Sequence, residues 1–154
     1  LQSTLVMTNI LIKNCTSVDS IPRGGGVYME ESTASLSSVD FVACSSIILE
    51  EDHAADWALF AHSYGGGMLL YRSAANMTDV AFRGCFASRG GAISLNELSV
   101  VHMARLVLEE NQNDDFYIQA SEYTCSATSD AGYYSNCGYR ATGLGVNQAC
   151  YANR

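Results

Sequence analysis

The chain repeats one apolar pattern four times, and this repeat constrains its fold more than any other feature. Counted back from Cys85, apolar residues stand three, five, eight and ten positions earlier, and the same offsets are apolar when counted from Cys15, Cys44 and Asn111. A fixed internal period of roughly 20 to 50 residues is typical of solenoids and propellers, so we expect the four segments to form equivalent layers of one stack. These template residues are Leu5, Met7, Ile10, Ile12, Ala34, Leu36, Val39, Phe41, Ala75, Met77, Val80, Phe82, Val101, Met103, Leu106 and Leu108.

Each repeat has the spacing of short β-strands joined by corners. Apolar residues alternate within the template, which predicts strands, and a single step of three instead of two predicts a corner that keeps the apolar side inward. Glycine runs at 24–26, 65–67 and 90–91 keep step with the template and fit tight turns of the backbone. Three short strands per turn, stacked by parallel pairing over three to four turns, give an all-β parallel β-helix.

A helical solenoid is the alternative fold for a period of this length. The anchors lie 29, 41 and 26 residues apart, and such intervals could also hold a pair of helices. The periodic segments contain many Ser, Thr, Val, Ile, Tyr and Gly residues, which are weak helix formers, so the β-helix is favoured. The longest interval predicts an insertion at residues 45–63, within the second turn.

Two short motifs resemble those of a known family. Gly90-Gly91-Ala92-Ile93 matches GGA[I/L/V], and Leu108-Glu109-Glu110-Asn111 is a conservative form of FxxN. Together they resemble the repeats of chlamydial polymorphic outer-membrane proteins and similar right-handed β-helix proteins, over residues 5 to about 120. The resemblance implies a right-handed coil and a role as an extracellular adhesin or filament component. Three of the four turns depart from the motif, because cysteine replaces its asparagine.

Size and charge limit the domain organisation and the partners. The 154 residues suffice for one domain, with a β-helix over residues 1–120 and a tail over residues 121–154 that is rich in Cys, Tyr and Gly. The net charge of −8 and a single lysine, Lys13, argue against a nucleic-acid partner, because little positive charge is present to neutralise phosphates. No apolar run approaches the roughly 20 residues needed to span a bilayer, so we predict no membrane span.

Two sequons and the cysteine content predict a secreted, extracellular protein that lies at a cell surface or in a fibre. Asn14-Cys15-Thr16 and Asn76-Met77-Thr78 are glycosylation triplets, and each asparagine precedes an inward residue, so Asn14 and Asn76 should face solvent and carry N-linked glycans. Because no signal peptide follows Leu1, we expect a processed product or the ordered part of something longer. Six cysteines favour an oxidising compartment and are disulfide candidates: Cys15, Cys44, Cys85, Cys125, Cys137 and Cys150.

The first three cysteines occupy one position on successive turns and should therefore stack as a ladder. A spacing of about 4.8 Å between neighbouring strands is compatible with the α-carbon separation of a disulfide, although parallel strands hold the β-carbons apart. We expect one bridge between neighbouring turns, with a buried free thiol as the alternative for one member of the ladder. A second bridge is expected inside the tail, most simply from Cys125 to Cys137.

The first turn and the insertion hold the candidate contact residues. An uncapped first coil would expose Leu5, Met7 and an unpaired strand edge, which favours association with another chain. We therefore expect a homo-oligomer in which the tail of one copy covers the first coil of the next. A fragment of a larger adhesin is the alternative. Further candidates are the aromatic residues of the insertion, which could instead fold back over the coil, and those of the tail: Trp57, Phe60, Tyr133 and Tyr134.

No catalytic, cofactor or metal site is predicted. A polysaccharide-cleaving β-helix enzyme is the alternative, but its candidate carboxylates, Asp40 and Asp79, stand at different offsets from their anchors. His102 lies between two inward residues and should face solvent. The insertion carries a cluster of potential metal ligands whose spacing matches no defined ligand loop and therefore predicts a solvated acidic surface: Glu50, Glu51, Asp52, His53, Asp56 and His62.

Overall fold

The computed structural model describes residues 3–48, 62–113 and 115–126, together with the backbone of a strand at 137–140. Every regular element in these ranges is a β-strand, as the alternation of apolar residues predicts. The strands are β1 (Thr4–Lys13), β2 (Thr16–Asp19), β3 (Val27–Glu30), β4 (Thr33–Val42), β5 (Ser45–Ile48), β6 (Met68–Tyr71), β7 (Ala74–Arg83), β8 (Ile93–Asn96), β9 (Val100–Glu109), β10 (Phe116–Gln119), β11 (Glu122–Ser126) and β12 (Cys137–Arg140).

The apolar template forms one sheet of long strands. β1, β4, β7 and β9 are each ten residues long and lie side by side in parallel, so that the four copies of the template stack in register. This arrangement confirms the predicted stacking at all sixteen positions. The stacked sets are Leu5, Ala34, Ala75 and Val101; Met7, Leu36, Met77 and Met103; Ile10, Val39, Val80 and Leu106; and Ile12, Phe41, Phe82 and Leu108.

A corner interrupts each long strand where the template steps by three. The residue at this point has a positive φ of 51° to 55° in all four strands, namely Asn9, Ser38, Asp79 and Arg105. A left-handed residue reverses the inside–outside alternation once, so the apolar side chains on both sides of the corner still point into the same core. The irregular spacing in the sequence is therefore the direct signature of this corner.

Two smaller parallel sheets complete the coil. β3, β6, β8 and β10 form one of them, and β2 pairs with β5 in the other. Isolated bridges from Ser45 to Phe86 and from Phe86 to Gln112 continue the β2–β5 side through the later turns. Because successive strands visit the three sheets in a fixed cycle, the architecture is consistent with a parallel β-helix.

The core runs along the inside of the coil. Its centre is a stack of two phenylalanine rings, Phe41 and Phe82, whose centroids are 4.6 Å apart with 6° between their planes. Both rings are fully buried, as are the cysteines Cys44 and Cys85 beside them. Stacking in register thus places like side chains in contact and removes them from water, which is the main stabilising contribution available to such a coil.

A serine ladder closes the remaining corner and was not predicted from the sequence. The backbone N–H of Ser32 donates to the Ser73 hydroxyl at 3.1 Å, that of Ser73 to the Ser99 hydroxyl at 3.2 Å, and that of Ser99 to the Ser121 hydroxyl at 3.2 Å. Each of the three acceptor hydroxyls donates in turn to a nearby carbonyl. The ladder satisfies buried polar groups at a bend where strand pairing cannot do so.

Strand pairing extends past two of the predicted boundaries. The repeat does not stop at Ser121, because β11 pairs in parallel register with β9 and places Tyr123 beside Val101 in the core. The insertion does not begin at residue 45, because residues 45–48 form β5 and pair with β2. The apolar template indicated neither boundary. Its fifth copy, which begins in β11, is incomplete, and the residues of β5 follow a different pattern.

Candidate functional site

Among the described residues, nothing covers one side of the first coil, which is formed by β1 to β3. β1 is an edge strand of the long-strand sheet and pairs only with β4 among the described residues. Its inward residue Ile10 is 42% exposed, whereas Val39, the next residue in the same stack, is fully buried. Leu5 and Met7, the predicted contact candidates of this coil, are half-buried. The coil therefore presents core-type side chains and an unpaired strand edge to its surroundings.

The open edge carries none of the usual protections of an edge strand. β1 contains no acidic residue and no proline, and its one charged residue is Lys13 at the end of the strand. Two outward residues, Val6 and Leu11, are apolar and 69% and 62% exposed. Edge strands that remain free are usually short or charged, so a ten-residue apolar edge is suited to pairing. Because this edge contains no acidic residue, it would not repel a second copy of the negatively charged chain.

The opposite end of the long-strand sheet has a different geometry. β12 runs antiparallel to β11 and forms the other edge of the sheet. The backbone register places Cys125 directly opposite Cys137. Directly opposed residues in antiparallel strands have α-carbons about 4.5–5.5 Å apart, within the range that a disulfide spans. The backbone is thus compatible with the bridge predicted inside the tail.

Several predicted contact and ligand residues lie outside the described residues. These are Trp57, Phe60, Tyr133, Tyr134 and Cys150, together with Glu50, Glu51, Asp52, His53 and Asp56 of the acidic segment. His62 is described, and its Nε2 atom lies 2.6 Å from a guanidinium nitrogen of Arg89. Within the described ranges, no group of three or more potential ligands could hold a metal ion.

The thiol ladder exists, but no disulfide joins its members. Cys15, Cys44 and Cys85 are free thiols, so the bridge predicted between neighbouring turns is wrong. Parallel strands in register point their β-carbons the same way, and the thiols turn toward backbone carbonyls of their own and the preceding turn instead. A hydrogen bond with Cys44, together with burial, raises the pKa of the Cys85 thiol, which keeps it protonated and unreactive.

Asn111, which follows β9, occupies the position that the three cysteines occupy on the earlier turns. Its Oδ1 accepts the backbone N–H of Cys85 at 3.0 Å, and its Nδ2 donates to the carbonyl of Phe82 at 3.1 Å. On the preceding turn, Cys85 Sγ lies 3.7 Å from the carbonyl of Phe41, which is the corresponding acceptor. The thiol thus occupies the place of the amide, but its bond to the carbonyl is longer and weaker.

Replacing Asn111 with alanine should lower the free energy of unfolding by about 1–3 kcal/mol, because the Cys85 N–H loses its acceptor inside the coil. Urea denaturation compared with Gln112→Ala measures this. Gln112 is exposed, and that control should stay within about 0.5 kcal/mol of wild type. Equal effects of the two substitutions would mean that the amide does not support the corner.

Both sequon asparagines lie on the surface, as predicted. Asn14 is exposed at a corner with a φ of 55°, and Asn76 is exposed on the outer side of β7. Asn76 is in register with His102, which is also exposed. Both asparagine side chains are therefore accessible for the attachment of a glycan.

The two carboxylates considered for catalysis form ion pairs instead of a pair with each other. Asp40 lies 3.3 Å from the Arg83 guanidinium, which also binds Glu109. Asp79 binds Arg105 at the corner of the long strands, and this hydrogen bond lowers the pKa of Asp79. These contacts link neighbouring turns on the outside of the coil.

A cluster of one arginine and three aromatic rings on the outer surface was missed by the sequence analysis. Arg89 NH1 donates to Tyr117 at 2.8 Å and, at 3.5 Å, to Tyr64, while NH2 donates to His62. The guanidinium also lies over the rings of Tyr117 and Tyr64, 4.9 and 5.8 Å from their centroids. Burial and the positive charge of Arg89 lower the pKa of His62, so its ring is neutral near pH 7.

The position of these residues had a signal in the sequence. Arg23, Tyr64 and Arg89 each stand immediately before a glycine run, and isolated parallel bridges stack them on successive turns. Aligning the repeats on the glycine runs, as well as on the cysteines, would have placed these three residues at the same position of the repeat.

Comparisons with known proteins give no family for this chain, so its function is inferred from the structural observations above. No helix with the length and apolar character needed to cross a bilayer occurs in the described part of the chain. No protein-family model, curated protein or solved structure matches the chain.

Proposed function

We propose that this protein is an extracellular structural and adhesive module that assembles with copies of itself, the first coil of one copy meeting the tail end of the next. The supporting observation is the open first coil, where core-type side chains and an apolar ten-residue strand edge face outward. The coil is right-handed in this proposal, because parallel strands in one sheet are joined by right-handed connections in about 98% of cases.

The repeat allows a further layer to pack on the first coil. Each turn presents the same four apolar positions at the same spacing, so a further β-coil can continue the stacks that end at Leu5, Met7, Ile10 and Ile12. Contacts between different surfaces of identical copies propagate as filaments unless the rotation closes a ring. The edge strands β1 and β12 are the surfaces that meet in this arrangement.

The assembly is tested by negative-stain microscopy and sedimentation of the purified chain over a range of concentrations. We expect fibres or concentration-dependent oligomers. Ile10→Lys should abolish them, because it places a charge on the inward side of the open coil. Leu98→Lys is the matched control, because it places the same charge on an exposed corner away from β1, and it should assemble like wild type.

Discrete wild-type particles at high concentration would contradict the proposed assembly and would favour a fragment of a larger adhesin, in which other turns of the same chain cover the first coil. Circular dichroism and thermal unfolding must show that both variants are folded, so that loss of assembly is not loss of structure.

The secretory origin has its own test, which is mass spectrometry of the protein from a secreting host. We expect added hexoses on peptides that contain Asn14 and Asn76, and a disulfide-linked peptide pair that contains Cys125 and Cys137. Cys44 and Cys85 should be recovered as free thiols. Unmodified asparagines with six free thiols would contradict the extracellular assignment.

A further inference from the structure

In the cluster formed by His62, Tyr64, Arg89 and Tyr117, some hydrogen-bond donors have no acceptor among the described residues. A guanidinium can only donate, so both tyrosine oxygens and His62 Nε2 accept from Arg89. The O–H groups of the two tyrosines are then left to donate outward, and the neutral His62 ring carries its hydrogen on Nδ1. Within the described ranges, no oxygen accepts from any of these groups. The two phenol hydrogens and the imidazole hydrogen of the cluster are therefore available to an acceptor from outside the described residues.

Two other arginine–tyrosine pairs in the same molecule show what completes such a cluster. Arg72 lies over the Tyr71 ring, 5.0 Å from its centroid, and Glu97 Oε2 accepts from Arg72 at 2.7 Å and from the Tyr71 hydroxyl at 2.8 Å. The carboxylate thus receives hydrogen bonds from the guanidinium and the phenol together.

A related arrangement occurs on the first coil, where a carboxylate accepts from the phenol alone. Arg23 lies over the Tyr28 ring and donates to its hydroxyl at 3.0 Å, and that hydroxyl donates to Glu30 Oε2 at 2.7 Å. At Arg89 the guanidinium, the ring beneath it and the hydroxyl are all present, but the described residues supply no carboxylate.

We propose that the His62, Tyr64, Arg89 and Tyr117 cluster binds the carboxylate of an external ligand. The two oxygens of this carboxylate take the place that Glu97 occupies beside Arg72. They accept hydrogen bonds from the remaining N–H groups of Arg89 and from the two phenols. Hydrogen bonds to an ionised group are about twice as strong as neutral ones, and the burial of Tyr117 and half-burial of Tyr64 shield them from water. The site lies on the side of the coil and does not depend on the proposed assembly.

A carboxylate of this kind can come from an acidic sugar or from a peptide terminus. Calorimetric titration distinguishes the two sources with sodium galacturonate and sodium N-acetylglycinate, and galactose serves as the neutral control. The protein is kept below the concentration at which it assembles, so that failure of this proposal and failure of the assembly proposal are separate results.

We expect at least one of the two anions to bind and galactose not to bind. Arg89→Gln should weaken the interaction at least about tenfold, because it removes the charged donor. Tyr117→Phe retains the ring and the fold and should also weaken binding, by several-fold. Arg72→Gln is the matched control and should leave the affinity unchanged, since Glu97 already occupies that arginine.

His62→Glu tests the same idea in the opposite direction. A carboxylate placed beside Arg89 by the chain itself should fill the site, abolish binding and raise the melting temperature. Absence of binding by both anions to the folded wild type would overturn the proposal. An equal loss in Arg72→Gln would also overturn it, because the anion would then follow the general charge of the surface.

Discussion

Gly66→Ala should prevent this chain from reaching its native stability. A β-carbon at Gly66 would lie 2.3 Å from the carbonyl oxygen of Gly91 on the next turn and 2.4 and 2.5 Å from the backbone oxygen and nitrogen of Phe86. These are backbone atoms held by the stacking of neighbouring turns, so they cannot move away as the end of a flexible side chain could. We expect a loss of more than about 4 kcal/mol, which is a large part of the stability of a typical domain.

Gly84→Ala provides the matched control for this prediction. Nothing lies within 4 Å of a β-carbon at Gly84, and its φ is 60°. The equivalent residue of the preceding turn, Ala43, adopts a φ of 51°, so alanine is already tolerated at this corner. We expect a cost of about 1 kcal/mol or less. Urea denaturation of the two variants measures the difference, and similar losses would show that the turns are not packed as closely as described.

Phe82→Ala should be the most damaging truncation in the core. Phe82 is fully buried and stacks on Phe41, so its removal leaves a cavity and deprives Phe41 of the ring beside it. Truncations of buried phenylalanine cost about 3–5 kcal/mol. Leu98→Ala is the surface comparison, because Leu98 is 79% exposed and should change stability by about 0.5 kcal/mol or less. A loss below about 1 kcal/mol for Phe82→Ala, measured by the same urea denaturation, would place this ring outside the core.

The sequence predicted the stacking of the turns in detail because that stacking is determined by side-chain periodicity. Inward residues must alternate along a strand and must recur on each turn, so their spacing is visible without coordinates. The step of three residues in the template corresponds to the left-handed corner residues, such as Asp79 in β7. Asn111, the anchor of the fourth copy, bonds both a donor and an acceptor at its corner, as an amide can.

Other features depend on contacts that the apolar template does not specify. Serine stands two residues before the first template position in every turn, as in Ser73 before Ala75, and this regularity would have revealed the serine ladder and the fifth strand at Ser121. The cysteine bridge was wrong because equal position on successive turns brings thiols near each other without aiming them at each other. The Arg89 cluster joins residues from three turns on the outer surface, where little apolar periodicity indicates the neighbours.

Residues at equal distances from Cys44, Cys85 and Asn111 lie directly above one another in the coil. Selective ¹³C labelling of the methionine methyl groups tests this most directly, because Met77 and Met103 are buried and in register on adjacent turns about 4.8 Å apart. Met103→Leu, which conserves volume, assigns the signals. We predict a strong nuclear Overhauser effect between the Met77 and Met103 methyl groups, and its absence in the folded protein would contradict the stacked coil.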